Sequence, residues 1–167
     1  YSEWAENPIN FPDGGPIYHS PTYPGGDYAY VATAGGGGTI YKVNINDGTY
    51  TVFFEEPDGD GFYSGCSYDD GSFPGTDEAI YAASIDGVGG GDTPERFKIL
   101  MDGTMAWAVG QGPVLYAPPV IGRKKVFMAI DRPNAGLIMV KKEDGVGDYD
   151  FFNLGVGSVT NPATLTC

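Results

Sequence analysis

The loop at 55–61, EEPDGDG, is the first stretch of this sequence that could do chemistry. Hard cations such as Ca²⁺ take several oxygen ligands from carboxylates and backbone carbonyls, and glycine permits the tight path between them. Asp58 and Asp60 stand where an EF-hand has its first two ligands, but Phe62 occupies the third place and Asp69 that of the closing glutamate. An EF-hand is ruled out. The residues allow a looser Ca²⁺ site on Asp58 and Asp60 with Asp69 or Asp70; the plain alternative is a solvated acidic turn.

Hydrolytic and zinc chemistry have less to stand on. His19 is the only histidine, in IYHSPTY, and a lone histidine with no motif around it is more often structural than catalytic. No GxSxG, HExxH or CxxC occurs. The glycine runs at 34–39 (AGGGGT) and 87–91 (GVGGG) lack the Lys-Ser/Thr and the helix start of a phosphate loop. They read as linkers whose bare backbone suits close packing. Tyr18, Tyr63 and Tyr116, with His19, are candidate ligand-binding residues, because aromatic rings stack on sugars or anchor protein interfaces. Alternating tyrosines on half-buried strands equally serve cross-strand packing. Cys66 and Cys167 are disulfide candidates, with each other or with another chain.

Composition sets what must hold these side chains. With 27 Gly, 13 Pro, 12 Tyr and 9 Phe in 167 residues, the chain is rich in turns and in strand-forming aromatics, and amphipathic helical spacing is almost absent. The expected class is all-β. A net charge of −13 excludes a nucleic-acid footprint and disfavours an anionic membrane surface. It suits solubility, a divalent cation or a basic partner. No apolar run reaches the roughly 20 residues that span a bilayer as a helix. Opening at Tyr1 without a visible signal peptide, the sequence reads as a processed form or a fragment, and its acidic, Tyr- and Thr-rich character points to a secreted, periplasmic or cell-surface setting.

The spacing shows a repeat. Asp-Gly pairs at 47–48, 102–103 and 144–145 each follow an alternating strand, 40–43 (IYKV), 97–100 (FKIL) and 137–140 (LIMV). Each precedes a strand bearing Phe53 and Phe54, Trp107, or Phe151 and Phe152. Upstream lie 28–33 (YAYVAT), 79–84 (AIYAAS) and 126–130 (VFMAI), and before those IYHSPTY, FYSGCSY and LYAPPVI. Four short strands per 40–50 residues is the period of a propeller blade, and stacking is what buries both faces of such a sheet.

The pattern APPVIGRKKVFMAI, followed by GLIMVKKEDG, resembles a repeat of the PQQ-like and related β-propeller superfamily, over most of 18–166. In that family a Pro-containing apolar inner strand precedes a second strand and then a third that ends at a DG or TG turn. The resemblance implies one all-β domain over 1–167. Its parts are an outer strand at 1–16 (with Trp4), blades at 17–56, 61–110 and 113–154, and an inner strand at 156–167. It also implies closure by strand sharing between the ends, and inner strands, including His19, that line a channel. The competing fold is a β-sandwich. Quinoprotein dehydrogenases of the family need a full ring, a catalytic Asp, a metal and often an adjacent cysteine pair; this chain has no Cys-Cys and too few blades, so that cofactor is not carried over.

The function expected is a non-enzymatic binding or scaffolding module in an extracellular assembly. Its partners would be other chains or identical subunits paired through edge strands, or a glycan. The alternatives are a fragment of a larger propeller enzyme and a Ca²⁺-stabilised lectin or adhesin.

Overall fold

A computed structural model describes residues 11–12, 15–34, 37–84, 95–110, 117–130, 135–146 and 152–155. Trp4, Tyr116, Cys167, the GVGGG linker and the closing segment at 156–167 lie outside the described residues. The described residues form strands and no helix. The strands are β1 (Tyr28–Ala32), β2 (Thr39–Asn44), β3 (Tyr50–Glu55), β4 (Cys66–Asp70), β5 (Glu78–Ala83), β6 (Glu95–Leu100), β7 (Met105–Gly110), β8 (Val120–Ile121), β9 (Lys125–Ile130), β10 (Ala135–Lys141) and β11 (Phe152–Gly155).

They make three antiparallel meanders in chain order, β1-β2-β3, β4-β5-β6-β7 and β8-β9-β10-β11. The all-β class read from composition holds. The first sheet differs from expectation, because its first strand shrinks to one bridge between Thr22 and Tyr30. Pro21 and Pro24 flank that bridge and have no N–H to give a ladder. Pro118 and Pro119 likewise leave β8 only two residues long, whereas the Pro-free CSYDD forms a full strand.

The Asp-Gly turns work by a shared device. Asp47 Oδ1 accepts hydrogen bonds from the backbone N–H and hydroxyl of Thr49, and Asp102 Oδ1 does the same for Thr104. Asp144 Oδ1 takes the N–H of Val146. The following glycines sit at φ of 74°, 86° and 68°, where a side chain is strained. The loops span three or four residues, closed by bonds such as Gly103 N–H to Leu100 O, so they are longer than two-residue turns.

Two of these turns also join sheets. A Cβ on Gly103 would lie 2.7 Å from the Phe53 carbonyl oxygen on β3, and one on Gly145 would lie 2.7 Å from the Trp107 ring on β7. Each turn thus leans on the last strand of the preceding sheet.

Strand alternation puts every second residue of β5 on opposite faces, and both faces are buried. Ile80 and Ala82 face the first sheet, in a cluster with Tyr30, Ile40, Phe54, Phe62, Phe97 and Ile99. Ala79, Tyr81 and Ala83 face the third sheet, with Val126, Met128, Ile138 and Val140. At their first segments the sheets touch directly. Thr22 Oγ1 donates to the Cys66 carbonyl at 2.5 Å, and Ser67 Oγ donates to the Pro119 carbonyl at 2.5 Å. The segment FYSGCSY therefore touches IYHSPTY on one side and the APPVI part of LYAPPVI on the other.

Candidate metal site and ligand surface

The acidic loop leaves β3 and crosses to the second sheet under close constraint. Glu56 N–H donates to the Gly38 carbonyl at 2.8 Å, and Phe62 N–H donates to the Thr33 carbonyl at 2.9 Å. A Cβ on Gly38 would overlap the Asp60 carbonyl, and one on Gly61 would overlap that of Ala34. Ala34 and Gly38, in the glycine run, thus pack against this chain's own acidic loop. Phe62, which breaks the EF-hand pattern, is buried between Phe54 and Phe97, with ring centroids 6.2 and 5.8 Å away.

Within this frame one oxygen each of Glu56, Asp58 and Glu95 lies within 4.8 Å of the other two. Glu56 is buried, and its Oε2 accepts the N–H groups of Asp58 and Asp60, both at 2.8 Å. Its Oε1 is buried with no hydrogen-bond partner. Burial, helped by the charges of Asp60 and Asp58, pushes the Glu56 carboxyl above its ordinary range. Glu95, at the head of β6, is pushed up by burial and by Asp58 and Asp60.

Of the aspartates proposed from sequence, Asp58 alone falls in the acidic group that the described residues form. Asp58 joins Glu56 and Glu95, and Asp60 is buried in the same loop. Asp69 faces the other way on β4 and makes a buried ion pair with Lys142, Nζ to Oδ2 at 2.5 Å. Asp70 is exposed and caps Ser72, whose N–H holds its carboxyl below the usual range. Alternation separates the pair, since neighbouring residues of a strand point to opposite faces. Glu56 stood in the quoted loop, but its burial carried no local signal. Glu95 follows a glycine-rich linker far along the chain and had none either.

Of the candidate ligand-binding residues, Tyr18, His19 and Tyr63 come together. The Tyr18 and Tyr63 rings stack with centroids 5.1 Å apart and planes 21° from parallel. Tyr18 is 58% exposed, and His19 lies against Gly65, where an added Cβ would meet the His19 Cβ at 2.9 Å. Cys66 is a buried free thiol, and burial pushes it up to about 11, which disfavours the thiolate at neutral pH.

A concavity of about 340 Å³ is lined by Lys124, Lys125, Lys141, Lys142, Thr76 and Glu143. Four of the nine basic residues of an acidic chain therefore meet in one hollow. Lys142 among them is buried and paired with Asp69, and Glu143 stands on the same wall. The sequence matches no protein-family model and no curated protein.

Proposed function

We propose that this chain is a non-enzymatic binding and scaffolding module of β-propeller type, working outside the cytoplasm, with other chains or copies of itself as partners. The observation that carries this reading is the neighbour-to-neighbour contact of the three first segments, through Thr22 to Cys66 and Ser67 to Pro119. Together with a middle sheet apolar on both faces, it is the pattern that blades around an axis produce.

Assembly through strand edges follows from the exposed residues of β3 and β7. Val52 is 53% exposed and Tyr50 and Met105 are exposed as well, on strands that end their sheets among the described residues. Exposed apolar edges pair with other chains unless charge blocks them. Sedimentation velocity tests this. The native particle should exceed the 17.7 kDa of one chain, and Val52→Lys should shift it toward that mass. A native monomer would refute the assembly reading.

The lysine-lined hollow favours a second reading, a lectin for acidic glycans. Titration with a heparin-derived oligosaccharide should show salt-sensitive binding that Lys124→Glu removes.

A further inference from the structure

We propose that Glu56, Asp58 and Glu95 hold a hard divalent cation, Ca²⁺, which fastens the crossover from the first sheet to the head of β6. Calcium–oxygen bonds run about 2.3–2.6 Å, so two oxygens on opposite sides of one ion stand at most about 5 Å apart. One oxygen from each of these three carboxylates, the three within 4.8 Å of one another, meets that limit.

The second observation is independent of the clustering. Glu56 is only 4% exposed, and its carboxylate is oriented by two backbone N–H groups on Oε2, which leaves Oε1 buried with no hydrogen-bond partner. A buried carboxylate oxygen with no donor is costly, and a bound cation removes that cost.

The donor set selects the ion. Three carboxylates without imidazole or thiolate disfavour zinc, copper and nickel. Mg²⁺ demands near-ideal octahedral geometry at about 2.0–2.1 Å, which an irregular loop supplies poorly, while Ca²⁺ accepts irregular oxygen cages completed by carbonyls and water. Gly59 at φ 82° gives the loop its bend between Asp58 and Asp60.

An ion here would have a mechanical role. Glu56 is tied to the Gly38 carbonyl beside the first sheet, and Glu95 exchanges bonds with Ser84 on the second, N–H to Ser84 Oγ at 3.2 Å and Ser84 N–H to its carbonyl at 2.9 Å. Bridging the two carboxylates ties the crossover loop to the β5–β6 pair.

Calorimetry and thermal unfolding of the full chain, stripped with EDTA and titrated with CaCl₂, test this. One site per chain is expected, with a Kd of about 10⁻⁴–10⁻³ M, as in extracellular Ca²⁺ modules. At ten times the Kd, Tm should rise by about 3–6 °C. Glu95→Gln, at a half-exposed strand end, should fold and lose the response. Glu56→Gln should fold without the ion and also lose it, while Asp144→Asn, at a remote turn, should keep it. The proposal is overturned by no heat and no Tm change at about 10 mM Ca²⁺, by a response that survives both Glu95→Gln and Glu56→Gln, or by an equal response to Mg²⁺.

Discussion

The second sheet is joined to its two neighbours by seams of different chemistry. Toward the first sheet lie Phe54, Phe62 and Phe97, with centroids 5.6–6.2 Å apart, and Tyr30 edge-on to Phe53 at 4.8 Å. Toward the third sheet lie Val126, Met128, Ile138 and Val140 with the Tyr81–Trp107 ring pair, centroids 5.9 Å apart, and here the buried Asp69–Lys142 pair also sits, with Trp107 Nε1 donating to the Lys142 carbonyl at 3.1 Å. One seam gains its stability from apolar area and ring packing, which any register of similar shape partly recovers. The other sets two opposite charges against each other in a buried site, so it fixes register at some cost in stability.

Breaking the polar seam should have the largest effect. Lys142→Met strands the Asp69 carboxylate in a buried site and should cost about 3–5 kcal/mol in urea unfolding, against about 0.5–1.5 kcal/mol for Ile80→Val in the apolar seam. Adding Asp69→Leu to Lys142→Met should recover most of the loss, since replacing both charges removes the stranded one. If the single and double variants were equally unstable, packing rather than charge would govern the seam.

Gly145→Ala is next. It combines a φ of 68° with a collision against Trp107 and should cost about 2–3 kcal/mol, while Gly48→Ala should cost about 1–2 kcal/mol from backbone strain. Comparing the two midpoints sharpens the claim that the later turns serve as contacts between sheets.

Tyr81→Phe should act in the opposite direction. The Tyr81 hydroxyl is buried in the polar seam with no hydrogen-bond partner, and burial, with Asp69 and Asp77 nearby, raises its pKa. Removing it should stabilise by about 1 kcal/mol. A loss of stability would mean that the hydroxyl finds a partner in solution.

The smallest effect is on the turns. Hydrogen bonds from Thr49 and Thr104 hold the Asp47 and Asp102 carboxyls below the usual carboxylate range. A group whose folded pKa is depressed contributes stability that is full above its unfolded pKa and lost as pH falls through the folded one. The Tm gap between the wild type and Asp47→Ala/Asp102→Ala should therefore be constant near neutrality and narrow in acid, as pH falls through and below the ordinary aspartate range.

The strands and turns were legible because their signals are local. Alternation in IYKV, FKIL and LIMV and the three Asp-Gly pairs lie within a few residues of what they determine. The shortening of the first strands was also written in the sequence, in Pro21, Pro24, Pro118 and Pro119, but the repeat alignment gave those segments more strand than their missing N–H groups allow. The partners of acidic side chains were not legible. Asp69 and Asp70 resembled a carboxylate pair, yet pleating turns one to a lysine 73 positions away (142 − 69) and the other to solvent. Glu95 reaches Asp58 only because β6 lies two strands into the second sheet, a fact of topology that no local motif encodes.

The measurement that bears most directly on the account is hydrogen–deuterium exchange on the wild type and on Lys142→Met. If neighbouring sheets stack as separable units, loss of the ion pair should speed exchange in β8, β9 and β10 and leave β1, β2 and β5 protected. Equal loss of protection in all three sheets would contradict that, and would show one cooperative core in place of two seams.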